Sequence, residues 1–436
     1  MKSKILLIFV FILSIFSTYG ADKELKDILT EHKNILWTIK PEQCSAIFGV
    51  KVRPQDDFNN VMRYHMRDNQ QYVRFNKKVV PEIIFYFAKR QLKSITVSIY
   101  NRGDNGLISE NVFAQLNSQV EKFAADFSKD AEPAGETRKF DKFRIESLIW
   151  QDKVCDYVLR RNRKGKTPEY LQLIIYPAGQ AKKLREALRA TADKNQLQLN
   201  LNIMPNGDSY LDIPMVNQGA KGYCVDATVE RIMKYYGSRV DQQIIAQLAE
   251  SDSYRGTNLR KITNVLDKNK SKLKINVDKL ITDDILSFED LQKLTQNYNN
   301  LAKKKKRNRL NFNDFCSGKG RYRRLNYSAL IGSYEYGLFR DARCRNKRTV
   351  DKFAEEVHKS LSKGIPLAWV TFTFQNMRDS SRIGRFGFHM RIINGFNKNK
   401  NQIIYTDSWG KGHEKKYMAL NDAAAINLML LQITPR

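Results

Sequence analysis

The chain has 436 residues, a formal net charge of +29 at pH 7 and a sequence pI of about 9.8. That length leaves room for two or three domains, each with its own core. So basic a balance serves solubility first and attraction to anionic surfaces second. For a chain carrying an export signal, envelope polyanions or an acidic protein substrate fit better than nucleic acid, and no stable nucleic-acid partner is expected. Residues 1–20 read as that signal. Lys2 and Lys4 give the positive start, Ile5 to Phe16 an apolar run broken by Ser14, and Ser17 to Gly20 a cleavage site before Ala21. The apolar run is too short for a comfortable span, and no later stretch is long and apolar enough to cross a membrane. The mature chain is expected to be exported and soluble, in the periplasm or outside the cell.

Residues 21–200 are expected to form an α+β domain of unassigned role. Asp22 to Ile35 reads as a short charged helix, and Pro41 to Phe48 as a second. Val79 to Phe87 and Ser94 to Tyr100 alternate as strands; Phe143 to Trp150, Val154 to Arg160 and Tyr170 to Tyr176 are further strands. Ser109 to Phe127 has the period of an amphipathic helix, and Ala181 to Lys194 is also helical. Asn101 to Gly106 reads as a plain turn, where the lone carboxylate of Asp104 makes a weak case for a cation. No catalytic constellation and no internal repeat stands out. The region fits a pro-segment, a substrate-positioning module or a surface-binding module.

Asn195 to Ser209 is a polar linker with Pro205-Asn206-Gly207-Asp208. Tyr210 to Val216 then leads, extended, into Asn217-Gln218-Gly219-Ala220-Lys221-Gly222-Tyr223-Cys224. Val225, Val229, Ile232, Met233 and Tyr236 follow at helical spacing, and Gly237 is a stop. A cysteine at a helix N-terminus feels the positive end of the dipole, which favours its thiolate. The free N–H groups of that first turn can hold a developing oxyanion, and the Gln218 amide would complete the hole.

A cysteine nucleophile needs a base, and the chain has five histidines: His32, His65, His358, His389 and His413. His389 has the best setting, in a strand from Gly387 to Phe396; Asn397 to Asn401 turns, and Gln402 to Gly410 returns. If that five-residue loop closes Phe396 on Gln402, Arg391 faces Asp407 and His389 faces Trp409. His389 and Asp407 then share a face as diagonal neighbours, as a carboxylate must to orient an imidazole. A shift of one residue would separate them. His413 is the competing base, while His32, His65 and His358 sit in charged, helix-like stretches and read as solvated surface.

Gln-Gly-x-x-Gly-x-Cys, a strand histidine and Asp-Ser-Trp-Gly together resemble the papain-like cysteine peptidases. The resemblance covers roughly the C-terminal half. It implies that Gln218 shares the oxyanion hole, that Cys224, His389 and Asp407 act as nucleophile, base and orienting group, and that Trp409 covers the third member. Lys221 and Val225 stand where the plant and lysosomal branch has Cys and Trp, and Asp407 replaces Asn. These departures are closer to the bacteriocin-processing, double-glycine leader peptidase-like bacterial branch.

Helices are expected near 241–250, 257–270 and 286–303 and from Val350 to Ser362, a strand from Pro366 to Phe374, and a closing strand and helix from Tyr417 to Leu431. A basic insertion spans about 286–348 and contains the run Lys303 to Arg309, with Lys319 to Arg324 and Arg340 to Arg348 adding charge. It reads as a solvated face, or as a contact for an anionic surface or polymer. With Cys224 reserved as a thiol, Cys44, Cys155, Cys316 and Cys344 allow two bridges in an oxidising compartment by any of three pairings; Cys316 with Cys344 fits because both lie in the basic region. No Cys/His cluster has metal-ligand spacing.

The expected architecture is therefore α+β. A papain-like domain over 201–436, with a Cys224 helix on an antiparallel sheet, follows an α+β domain over 21–200. The expected reaction is hydrolysis of a protein or peptide substrate through a thioester, a chemistry that needs no metal or organic cofactor. The same residues could run transglutaminase-like acyl transfer, or the chain could be a non-catalytic binder of anionic envelope polymer.

Overall fold

The computed structural model describes residues 22–436 except 58, 130–132, 141–142, 182–190, 220–221, 239, 250, 252–256, 258, 283–286, 319–322 and 375–386. The stretch read as a signal peptide, the body of the Ala181–Lys194 helix and the start of the Lys319–Arg324 run lie outside the described residues. The chain mixes helices with antiparallel sheets. The first large sheet has eight strands: β1 (Arg53–Pro54), β2 (Val61–His65), β3 (Glu82–Ala88), β4 (Gln91–Asn101), β5 (Ala134–Phe140), β6 (Phe143–Gln151), β7 (Cys155–Lys164) and β8 (Thr167–Pro177). Their order is β1-β2-β3-β4-β8-β7-β6-β5, antiparallel throughout.

The period of two explains the two faces of this sheet. Ile83, Val97, Leu173 and Leu159 are successive cross-strand partners, and all four are fully buried in one core. Helix α3 (Glu110–Ser128) covers that face with Phe113, Leu116, Val120 and Phe123, and Ser109 caps it by accepting from Val112 N at 3.3 Å. Helices α1 (Leu25–His32) and α2 (Cys44–Phe48) join the same core. The opposite face is polar, with Glu82, Ser98 and Gln172 as cross-strand partners, yet these too are buried.

Strand β2 corrects the reading of His65 as surface. His65 is 4 % exposed, its Nδ1 accepts from Arg67 N at 3.2 Å, and Nε2 lies 3.6 Å from Asp104 Oδ1. Its neighbour Arg63 meets Glu82 at 2.5 Å. Charge in this stretch signals internal pairing rather than exposure, because buried charges survive when partnered. Asn101 to Gly106, read as a turn, holds the one-turn helix Arg102–Asn105.

The second sheet carries the C-terminal half: β9 (Leu201–Ile203), β10 (Asp208–Leu211), β11 (Ile275–Thr282), β12 (Leu367–Thr373), β13 (Gly387–Asn397), β14 (Gln402–Thr406), β15 (Lys416–Ala419) and β16 (Asn427–Pro435). Its order is β9-β10-β13-β12-β16-β11, with β14 on β13 and β15 on β14. Helix α4 (Cys224–Tyr235) packs on β13, where Thr228 Oγ1 donates to Met390 O at 3.2 Å. Val225, Val229, Ile232 and Met233 supply its apolar stripe. Its polar side is buried as well. Glu230 pairs with Lys234 at 2.8 Å, and the Lys234 ammonium lies over the Tyr86 ring of the first sheet. Across the same seam Arg160 pairs with Asp241 and Gln247 bonds Asn162. The helix is amphipathic, but both of its faces have partners.

The insertion contributes to the core. Helices α7 (Phe288–Lys304) and α9 (Tyr336–Arg343) follow α5 (Gln242–Leu248) and α6 (Leu259–Lys268), and α8 (Tyr327–Ser333) lies between them in sequence. Leu291, Leu294 and Tyr298 of α7 pack with Tyr334 and Phe339, while every residue from Lys303 to Arg309 is exposed. Helices α10 (Lys347–Leu361) and α11 (Leu420–Ile426) complete the half. All five cysteines are free. The Cys316–Cys344 bridge is not formed: Cys316 Sγ approaches Phe312 O and Cys344 Sγ approaches Asn421 O. No helix among the described residues is long and apolar enough to cross a membrane.

Candidate active site

Cys224 opens α4, half-buried, behind Tyr223, whose side chain forms no cap. The dipole's positive end and the uncapped N–H groups therefore face the thiol side of the helix. His389 reaches the same place from β13. Its Nε2 lies 2.6 Å from Asp407 Oδ1, and Cys224 stands near enough to favour the charged form of the ring.

The register that brings His389 to Asp407 arises differently from the sequence expectation. The turn has four residues, 398–401, and closes Asn397 on Gln402 rather than Phe396 on Gln402. Alone, that change would put the two side chains on opposite faces. A bulge at Asn394 restores the phase, so that Ile392 pairs with Thr406 and the neighbouring Arg391 reaches the side chain of Asp407. The bulge is anchored: Asn394 Nδ2 donates to Leu211 O at 2.8 Å.

Asp407 is fully buried and held on both oxygens. Oδ1 accepts from Ser408 N at 2.8 Å beside His389, and Oδ2 accepts from Arg391 Nε at 3.1 Å. Burial opposes its charge, but His389, Arg391 and Lys416 outweigh burial and hold the carboxyl well below the usual range. Burial likewise opposes the imidazolium. The charge and hydrogen bond of Asp407, with the Cys224 contact, prevail and lift His389 to about 9. The Trp409 indole stacks on the imidazole, with centroids 4.7 Å apart and planes 18° from parallel, which keeps water off the pair. His413, the rival base, does not meet the carboxylate of Asp407; its carbonyl accepts from Asp407 N, and its ring stands edge-on to Trp409.

Gln218 is fastened to the residue after Asp407. Gln218 N donates to Ser408 O at 2.8 Å, and Ser408 Oγ donates to Gln218 Oε1 at 2.6 Å. The carbonyl end of the amide is thus fixed by Ser408. Among the described residues, no group of three His, Cys, Asp or Glu side chains could hold a metal.

A family model described as the Peptidase C39-like family matches residues 210–428, half of the chain. The chain belongs to this family. It is a cysteine-type peptidase, a hydrolase, and peptides or proteins are its substrates. No curated protein matches the chain. The C39-like match takes in Gln218, Cys224, His389 and Asp407, with His389 bonded to Asp407 and Gln218 bonded to the next residue, Ser408.

Sequence reasoning missed three residues that hold this arrangement. Arg231, seven residues after Cys224 and 1 % exposed, donates Nε to Pro214 O, Nη1 to Asp407 O and Nη2 to Thr406 Oγ1. It ties the cysteine helix to the segment entering the Gln218 loop and to the Asp407 backbone. Arg391 holds Asp407 Oδ2, and Ser408 holds both Asp407 Oδ1 and Gln218 Oε1. Charged residues on one face of a helix or strand that also carries a candidate nucleophile or base were the available signal.

Proposed function

We propose that this peptidase is exported and cleaves peptide bonds through a Cys224–His389–Asp407 triad, with Gln218 and the Cys224 N–H as the oxyanion hole. The observation that carries the reading is His389 bonded to the buried Asp407 beneath the Trp409 indole, with Cys224 near enough to favour the imidazolium. His389 takes the thiol proton, and the Cys224 thiolate attacks the scissile carbonyl carbon. The carbonyl electrons move onto oxygen, where the Gln218 amide and the helix N–H meet the negative charge. Collapse breaks the C–N bond; the leaving amine takes its proton from His389, and a thioester remains. His389 then removes a proton from water, the hydroxide attacks the thioester, and the Cys224 thiolate departs with the acid released. Asp407 orients the ring and favours its charged form throughout.

The proposal extends to residues 1–20 as a cleaved signal peptide, 21–200 as an N-terminal domain and 201–436 as the peptidase domain. The Lys303–Arg309 run is a contact for anionic polymer, supported by the exposure of all seven residues. The test of the chemistry is an epoxide-type cysteine-protease inhibitor with the adduct mapped by mass spectrometry, alongside casein digestion. Labelling at Cys224 that is lost in His389→Ala, with cleavage lost in Cys224→Ala and His389→Ala, is expected. Casein cleavage by Cys224→Ala would overturn the reading.

A further inference from the structure

The first sheet touches the oxyanion loop directly. Gln55, 6 % exposed, follows β1 and is fixed there: its N donates to Val61 O at 2.8 Å and its Nε2 to Arg53 O at 3.1 Å. Its Oε1 accepts from Asn217 Nδ2 at 2.6 Å, across 162 positions of sequence. The other end of the Asn217 side chain, Oδ1, accepts from Gly219 N at 2.8 Å. Gln218 is therefore bracketed. Its preceding residue is bonded to the first sheet, and that same side chain clamps the residue after it.

Two glycines allow the close fit. Gly219 has φ +73°, and a Cβ there would lie 2.7 Å from Arg63 Nη2. That guanidinium belongs to the buried Arg63–Glu82 pair, so it cannot withdraw cheaply. Gly410, of the Asp-Ser-Trp-Gly motif, has φ +83°, and its Cβ would lie 2.6 Å from Asn217 Nδ2 and 3.3 Å from Gln55 Oε1. The Gln55–Asn217 bond is thus sandwiched between the loop that carries Gln218 and the loop that carries Asp407.

We propose that Gln55 is a positioning residue for the oxyanion hole, so that the first sheet is a fixed part of the catalytic unit. This rests on the role of Gln218 proposed above. An oxyanion donor contributes only if it is held where the charge develops, since any reorientation during reaction spends the gain. Ser408 fixes the Gln218 amide from the Asp407 side. Gln55, through Asn217, fixes its backbone from the other. The region before residue 200 therefore supports turnover, and its release as a pro-segment would weaken the enzyme.

The test uses the full chain after export processing. Gln55→Met keeps the length of the side chain and removes the acceptor; Gln55→Glu restores an acceptor; Asn217→Asp removes the donor from the other side and keeps the Gly219 bond. Labelled casein gives kcat and KM, and iodoacetamide gives the alkylation rate of Cys224 against pH. Alkylation is a displacement at carbon with no oxyanion, so it reads the thiolate and His389 alone. Gln55→Met and Asn217→Asp are expected to lower kcat by roughly 10- to 100-fold with KM little changed. The alkylation profile stays that of wild type, Gln55→Glu recovers most of the rate, and Gln55→Met adds nothing to Gln218→Ala. Full kcat in a folded Gln55→Met or Asn217→Asp, or losses that multiply with Gln218→Ala, would overturn the proposal while leaving Gln218 its role. Full kcat in Gln218→Ala would remove the oxyanion assignment itself, and this proposal with it.

Discussion

The His389–Asp407 pair makes stability depend on pH in a calculable direction. In the unfolded chain His389 titrates at its ordinary 6.5; in the fold, burial lowers that value but the Asp407 charge and the Cys224 contact outweigh it and raise it to about 9. The gap between 6.5 and about 9 corresponds to roughly 3 kcal/mol in favour of the fold. A histidine raised in the fold contributes fully below 6.5, and the contribution disappears as pH rises through 9. Asp407 does not mask this, because its carboxyl is ionised throughout that window. The measurement is urea unfolding of wild type and His389→Gln at several values between about pH 6 and about pH 10. The stability difference between the two should shrink by roughly 3 kcal/mol from the low end to the high end. The same loss of the imidazolium should give kcat/KM an alkaline limb near 9, because the leaving amine then finds no proton. A difference that stays flat across the window would refute the reasoning, since it would mean that His389 is not held charged by its buried partner.

Ser408→Ala removes the hydroxyl that fixes the Gln218 carbonyl, and it should lower kcat by roughly tenfold while the alkylation rate of Cys224 stays unchanged. Asp407→Asn takes the carboxylate from the buried Arg391 and should cost about 3–5 kcal/mol in urea unfolding; Asp407→Asn with Arg391→Met should recover a large part of that, though not the activity. A thiol titration of the unfolded, unreduced protein should count all five cysteines, and a count of three or one would reveal bridges that the free thiols of the fold exclude.

The candidate constellation was legible because the chemistry it would serve restricts it to few residue types at set positions. Cys224 before an apolar helical stripe, Gln218 six residues earlier and Asp-Ser-Trp-Gly after a strand histidine can all be read without a fold. What supports them was not legible. The Asn394 bulge leaves no mark in the period of β13, and only the anchor on Leu211 O explains why the chain departs there from regular pairing. His65 looks like surface because its partner, Asp104, lies 39 positions away in sequence. The strand Ile275–Thr282 was missed because Asn276, Asp278 and Lys279 break the apolar pattern. Among the described residues it is an edge strand, paired with Asn427–Pro435, and half-exposed edges tolerate charge. The Cys316–Cys344 expectation rested on proximity in sequence, which does not align two sulfurs.

A carboxylate at position 407 is accommodated by the charges packed around it. An asparagine can orient an imidazole by a hydrogen bond without adding charge to a buried site. An aspartate stabilises the imidazolium far more strongly, but a second carboxylate oxygen then has to be satisfied out of water. Arg391 meets that need, and it does so from the same strand as His389, two residues along, so one alternation of β13 sends both cationic groups to the same face. The bulge at Asn394 sets the phase at which that face meets Asp407, and Arg231 holds the Asp407 carbonyl from the cysteine helix. The aspartate is tolerable in the core because the imidazolium meets one of its oxygens and the arginine the other.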